Sequence, residues 1–173
     1  AVINRGLPEC EVLDDAARTI AVTLLRCTGQ GVGLPEDQRD SQMIGPHVFE
    51  LALFPHGGDW RGAGVWREAH AFNVPMRAVQ TDMHDGPVAD GHAFLSVGPA
   101  SLVPSAVKRS DDGNSIVVRA YSLADVPVTA EIDVGWPGVW RRHRLRLDES
   151  ATDESSLVLP FEIATFGLER PMP

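Results

Sequence analysis

The sequence has 173 residues, of which 43% are hydrophobic and 23% charged, and this balance predicts a globular domain with its own core. The net charge of −9 at pH 7 argues against nucleic acid or an anionic membrane as a partner, because both attract basic proteins. No apolar run approaches the roughly 20 residues that a membrane-spanning helix needs.

Most of the chain is predicted to form β-strands. Apolar and β-branched runs, separated by Gly, Pro, Asp and Asn, are typical of an antiparallel sandwich. The predicted strands cover residues 19–28, 47–54, 93–103, 115–123, 128–135, 140–147 and 157–169. Between two of them, SDDGNS at 110–115 predicts a hairpin turn because it has Asp-Gly at its centre. Long loops are predicted at 30–46 and 82–92, and loops of this length are usually functional or pack against something outside the chain.

One segment, near 60–73, breaks the β pattern and predicts a short helix. Val65, Ala69 and Phe72 follow helical spacing, and Asp59 is the expected N-cap. Asn73 is the expected end, because the residues Val74-Pro75 that follow disfavour helical geometry.

The remaining patterns predict structural roles. Arg142, Arg144 and Arg146 alternate along one strand, which indicates a solvated strand face opposite acidic neighbours; an anion or sugar contact is the alternative. Cys10 and Cys27 lie in or beside apolar runs, which predicts buried free thiols rather than a disulfide.

Candidate catalytic residues lie in the stretch PHGGDW, which follows the predicted strand at 47–54. His56 and Asp59 are a candidate metal-binding or acid–base pair, since imidazole and carboxylate both bind zinc. His84, flanked by Asp82 and Asp85, is a second candidate. The sequence has no hydrolase or phosphate-loop motif, so we expect no metal site and no catalytic residue in this chain.

Four tryptophans raise the possibility of carbohydrate binding, because sugars stack their apolar faces on exposed indoles. Trp66 is expected on the buried face of the helix. Trp136 and Trp140 bracket the turn GWPGVW, so at least one of them is a candidate for exposure.

Seven segments, in order along nearly the whole chain, carry a family resemblance. They are NRGLPECEV (4–12), TLLRC (23–27), SQMIGPHVFELALFPHGGDW (41–60), AFNVPM (71–76), GHAFLSV (91–97), SAVKRSDDGNSIVVRAYS (105–122) and PFEIATFGLE (160–169). This ordered set resembles the C-terminal β-domain of the bacterial α-mannosidases of glycoside hydrolase family 38. The departures are Cys10, where an aromatic residue is common, Ser122, where Asn is usual, and LRLDES (145–150), a loose version of the usual N-L-L-E-E stretch.

The resemblance implies an all-β fold, an antiparallel β-sandwich of the galactose-mutarotase-like supersandwich type. It implies that residues 1–173 are one sandwich domain from a longer enzyme of mannose metabolism, a retaining α-mannosidase. Its zinc and aspartate nucleophile belong to an N-terminal catalytic domain that no stretch of this chain matches. The chain alone is therefore expected to be inactive and without a cofactor, with that catalytic domain and mannose-containing carbohydrate as partners.

Three functions remain open from the sequence. The first is a non-catalytic C-terminal domain whose residues His56, Asp59, Trp60, Trp136 and Trp140 are candidates to border the substrate cleft. The second is an independent carbohydrate-binding module that uses its exposed tryptophans. The third is a small metal-dependent hydrolase built on His56, Asp59 and His84. The lack of a disulfide pattern favours a cytoplasmic location.

Overall fold

The computed structural model describes residues 1–27, 39–152 and 155–170. The chain divides into two compact units, Ala1–Gln80 and Thr81–Pro173. The prediction of a single sandwich domain over 1–173 stays a prediction. Within the described ranges, no helix is both long and apolar enough to cross a membrane.

The first unit contains short strands and the α-helix. Its elements are β1 (Val2–Asn4), β2 (Cys10–Val12), β3 (Ile20–Val22), a 3-10 helix (Arg39–Gln42), β4 (Leu51–Leu53) and α1 (Val65–Asn73). β1 pairs antiparallel with β4, and β2 pairs antiparallel with β3. α1 packs on β1, where the Asn73 side-chain amide donates to the Asn4 carbonyl at 3.0 Å and the Arg5 guanidinium lies 4.8 Å from the Phe72 ring.

The second unit contains an antiparallel β-sandwich. Its strands are β5 (Leu95–Gly98), β6 (Leu102–Arg109), β7 (Ser115–Ser122), β8 (Val128–Thr129), β9 (Glu131–Val134), β10 (Arg141–Leu145), β11 (Leu157–Val158) and β12 (Ile163–Glu169). Four of them form one sheet in the order β10-β12-β7-β6. The pairs β5-β9 and β8-β11 form two further small sheets.

One face of the four-stranded sheet carries the core of this unit. Leu102, Ala120 and Phe166 are buried on that face and pack with Val158 of β11 and with Ala130, which lies between β8 and β9. Strand alternation places these residues on a single side of the sheet, and burying them together supplies the hydrophobic stabilisation. The predicted fold class, an antiparallel β-sandwich with one short helix, is confirmed.

The strand predictions succeed in part in the second unit and fail in the first. In the second unit, the predicted strands 115–123 and 140–147 are confirmed with shorter bounds, whereas 93–103, 128–135 and 157–169 are each interrupted and contribute to two strands. The hairpin at 110–115 joins β6 to β7 as predicted. In the first unit, by contrast, the described residues of the two long predicted strands are paired in strands only at Ile20–Val22 and Leu51–Leu53. The apolar strand predicted at 47–54 is not part of a core: among the described residues β4 pairs with β1 alone, and Leu51 and Leu53 are 46% and 80% exposed.

The helix is shorter than predicted and Asp59 does not cap it. α1 begins at Val65, and its N-cap is Gly64 in the left-handed region (φ 68°) with no side-chain hydrogen bond. The carboxylate of Asp59 instead accepts from the Arg61 amide at 3.2 Å, within the turn that precedes the helix. Glycine disfavours helical geometry, so the helix starts only after Gly64. The predicted end at Asn73 is confirmed.

Of the three alternating arginines, Arg142 and Arg144 do not lie on a solvated face, whereas Arg146, which follows β10, is exposed. Arg144 is 9% exposed and Arg142 is half-buried, and both guanidinium groups lie over the Phe166 ring, at 4.9 and 5.8 Å from its centroid. Arg142 donates to the Ala130 carbonyl at 2.8 Å, and Arg144 is paired with Glu162. A guanidinium group can stack on an aromatic ring and donate hydrogen bonds to carbonyl oxygens at the same time. The strand face that carries Arg142 and Arg144 can therefore pack against Phe166 instead of facing solvent.

Two other predictions have mixed outcomes. Cys10 and Cys27 are free, as predicted, but exposed rather than buried. Cys10 lies in β2, all three residues of which are exposed, and Cys27 lies outside any strand or helix. The predicted loop at 30–46 lies partly outside the described residues, whereas the loop at 82–92 is exposed and without a strand or helix.

Candidate functional site

The stretch that follows β4 places three of the predicted site residues on the surface of the first unit. His56 is exposed and stacks on Phe54 with ring centroids 6.0 Å apart. Trp60 is 42% exposed and has the Arg61 guanidinium 5.1 Å from its ring. Because the Asp59 carboxylate is used within its own turn, the structure shows no hydrogen bond that couples it to His56.

The metal-binding alternative receives no support in the described part of the chain. No group of three or more His, Cys, Asp or Glu side chains there is arranged to hold a metal ion. His84, the other predicted ligand, contacts the Thr81 hydroxyl at 3.2 Å and the Asp85 carbonyl at 3.4 Å. These contacts account for both nitrogens of the His84 ring within its own loop.

In the second unit, the turn after β9 brings Trp136 and Trp140 together. The indole nitrogen of Trp140 donates to the Trp136 carbonyl at 3.2 Å, so Trp140 braces the turn. Trp136 is 46% exposed, and its ring lies 4.8 Å from that of Phe94. The His92 ring lies nearly perpendicular to the same Phe94 ring, with ring centroids 4.8 Å apart. The Trp136 indole is therefore partly exposed, while its ring contacts Phe94 and its backbone carbonyl is bound by Trp140.

Gly135 allows this arrangement. A Cβ at Gly135 would lie 2.1 Å from the Ala93 carbonyl oxygen, a distance that no side chain tolerates. The Gly135 amide donates to the Phe94 carbonyl at 3.0 Å and so fixes the indole beside the Phe94 ring. Close approach of two backbones is a common reason for glycine at a strand end.

A groove of about 480 Å³ lies beside Trp136 and Trp140. Its apolar wall is formed by Leu95, Val107, Ile116 and Val134, and its rim includes Lys108, Arg109, Asn114 and Arg170. This volume falls in the range of small-molecule sites, about 300–1,000 Å³, and an apolar wall with a few polar groups is their usual composition. The sequence pointed to the two tryptophans but not to the arginines, which come from β6 and the end of β12.

A second groove, of about 700 Å³, is lined by residues of β10, β11 and β12 and includes the Arg144–Glu162 pair. Leu157, Leu159 and Ile163 line it and are 49%, 52% and 55% exposed. An apolar surface of this kind is typical of an interaction site rather than of a catalytic centre.

Comparison with known proteins agrees with these features. Residues 101–166 match the family described as "Glycosyl hydrolases family 38 C-terminal beta sandwich domain". The chain is 31% identical over 123 residues to the protein named "Putative mannosylglycerate hydrolase" of Halalkalibacterium halodurans, a match that covers 70% of this chain and 13% of that protein. It is 34% identical over 80 residues to Alpha-mannosidase 2C1 of Homo sapiens, which covers 44% of this chain and 8% of that protein.

Two solved structures superpose on nearly the whole chain. One is an α-mannosidase from Enterococcus faecalis V583, with a TM-score of 0.79, 30% identity and coverage of 96% of this chain and 19% of that one. The other is a glycosyl hydrolase family 38 protein from Enterococcus faecalis, with a TM-score of 0.76, 28% identity and coverage of 96% and 20%. The chain thus spans about a fifth or less of the relatives it matches. In sequence and in fold, this chain belongs to the C-terminal β-sandwich domains of glycoside hydrolase family 38.

Proposed function

We propose that this chain is the non-catalytic C-terminal part of an α-mannosidase-like enzyme and that it supports the enzyme's catalytic domain. The observation that carries the proposal is the coverage: 96% of this chain superposes on only 19% of an α-mannosidase. A segment that matches so small a share of an enzyme, and has none of its catalytic motifs, suits a supporting role.

Exposed apolar side chains give the proposal a physical basis. In the first unit, Leu53 is 80% exposed, Val48 90% and Met76 101%. Leaving large apolar groups in water forfeits about 25 cal/mol per Å² of apolar surface, so such residues usually mark an interface. The proposed partner is the catalytic domain of the parent enzyme, which would cover this surface.

The proposed chemistry lies outside this chain. The catalytic aspartate and the zinc ion that the family resemblance implies are assigned to the catalytic domain. A mannose-containing glycoside is the proposed substrate of the parent enzyme, in keeping with relatives whose names specify mannosidase and mannosylglycerate hydrolase activity. Among the predicted cleft residues, His56, Asp59 and Trp60 are exposed and remain candidates to border that cleft.

We further propose a cytoplasmic location. Cys10 and Cys27 are free although both are exposed, and exposed thiols persist most readily in a reducing compartment.

The test compares this chain with a longer polypeptide encoded by the same reading frame. The 173-residue chain should not hydrolyse an aryl α-mannoside, with or without added zinc, whereas the longer polypeptide should. The matched control is the longer polypeptide without residues 1–173, which should lose most of its stability or activity if the domain is a support. Turnover by the chain alone, or a reading frame without a catalytic domain, would contradict the proposal.

A further inference from the structure

We propose that the groove beside Trp136 binds a mannopyranose ring that carries an acidic group, a carboxylate or a phosphate. A supporting domain needs no ligand of its own, so the site goes beyond the proposed function. Only the choice of mannose as the sugar rests on that function. All the described residues that line the site belong to the second unit.

Trp136 supplies the platform for the sugar ring. Its indole is 46% exposed, and the Phe94 ring lies 4.8 Å from it. The backbone that carries the indole is fixed in two ways. The Ala93 carbonyl oxygen packs closely against Gly135, and the Trp140 indole nitrogen donates a hydrogen bond to the Trp136 carbonyl. A pre-positioned aromatic face binds an apolar ring face with little entropic cost, because the side chain has few rotamers left to lose.

Two guanidinium groups supply the anion contact. Arg109 lies at the end of β6 and uses its Nε to donate to the Gly113 carbonyl at 2.8 Å, which leaves its two terminal amino groups for a ligand. Arg170 follows β12 and lies beside Gly138, where an added Cβ would be 3.0 Å from its Nε. Within the described ranges, neither arginine has a carboxylate partner.

The charge of the groove is unusual for this protein. The chain carries a net charge of −9, yet the described residues that line the groove include three cationic side chains and no Asp or Glu. Of the three, Lys108 is already paired with Asp111 and Glu149 at 2.7 and 2.5 Å. Arg109 and Arg170 therefore remain to bind an anion, and guanidinium groups suit carboxylate and phosphate because they donate two parallel hydrogen bonds.

A neutral sugar explains this composition less well. It would stack on Trp136 equally, but it would leave the charge of the two arginines without a partner. A bare anion, in turn, would make no apolar contact with the wall formed by Leu95, Val107 and Val134. The combination of aromatic face, apolar wall and two free guanidinium groups points to a ligand with both a ring and a charge.

The test measures binding to the full 173-residue chain by calorimetry and by tryptophan fluorescence. The probes are mannose 6-phosphate, mannuronic acid, methyl α-mannopyranoside and inorganic phosphate. At least one of the two acidic sugars should bind about tenfold or more tightly than both the neutral sugar and inorganic phosphate, the factor expected for hydrogen bonds to a charged group. If neither acidic sugar binds, or if neither surpasses both comparison probes, the inference is overturned.

Variants then locate the site. Trp136→Ala should weaken binding of the acidic sugar about tenfold, and Arg170→Gln should remove its advantage over the neutral sugar. Arg141→Gln is the matched control, because Arg141 is exposed on the opposite face of the sheet and loses the same charge. Trp136→Phe keeps an aromatic face and should retain part of the affinity. Unchanged binding in folded Trp136→Ala, checked by its thermal transition, would overturn the inference without bearing on the supporting role.

Discussion

The substitution Phe166→Ala should destabilise the second unit more than any surface change. Phe166 is 0% exposed at the centre of the four-stranded sheet, so truncation removes the whole transfer free energy of its ring and leaves a cavity. Fully buried phenylalanines cost about 3–5 kcal/mol when they are cut to alanine. The upper half of that range is expected, because Arg142 and Arg144 also lose the ring over which their guanidinium groups lie.

Phe161→Ala is the matched control, since it removes the same atoms five residues earlier. Phe161 is 59% exposed, so less than half of its ring area returns to water. Full burial of such a side chain is worth about 1.5–3 kcal/mol, and the expected loss for the control is therefore about 1 kcal/mol. Phe166→Leu fills part of the cavity and should fall between the two alanine variants.

Urea unfolding followed by circular dichroism gives the free energies of unfolding. Hydrogen exchange of the β7 and β12 amides assigns the loss to the second unit. A loss below about 1.5 kcal/mol for Phe166→Ala, or one no larger than that of Phe161→Ala, would refute the view that the core centres on this ring.

Two further predictions concern the turns around the groove. Gly135→Ala should cost about 1–3 kcal/mol, because its Cβ would lie 2.1 Å from a backbone oxygen, and thermal unfolding should show no such loss for Gly57→Ala, whose Cβ meets nothing within 4 Å. In the β6–β7 hairpin, the Ser110 hydroxyl and nearby amides lower the pKa of Asp112 below 3.8. Ionised Asp112 therefore stabilises the fold above pH 3.8, and this contribution disappears as the pH falls through its folded pKa. Acid titration should show the stability gap between wild type and Asp112→Asn closing at low pH; a constant gap would contradict the assignment.

The success of the strand predictions differs between the units for a physical reason. Period-two alternation reports which residues share a face, but it does not report whether a second layer covers that face. In β7 and β12 the second layer lies within the unit, so the predicted strands are long and buried. In 47–54 the same kind of apolar pattern yields only three paired residues, and among the described residues β4 pairs with β1 alone.

Two other predictions failed, the solvated arginine face and the Asp59 helix cap, and each has its own physical cause. The alternation of Arg142 and Arg144 correctly indicated a shared face, but charge alone suggested that this face is solvated. A guanidinium is planar, weakly hydrated and able to stack, so the same pattern also suits a face that turns inward over Phe166. Asp59 failed as a helix cap because Gly62 and Gly64 delay the helix, an effect of backbone freedom rather than of side-chain chemistry.

The groove beside Trp136 shows what a pattern along one chain does not reveal. Trp136 and Trp140 are close in sequence, and the structure joins them through a hydrogen bond. Arg109 and Arg170, by contrast, are 61 residues apart in the sequence numbering and reach the groove only because β6 and β12 flank β7 in one sheet. Sheet order therefore places the proposed anion contact beside the proposed sugar platform. The same order explains why loss of either arginine should affect charge recognition while the indole face stays in place.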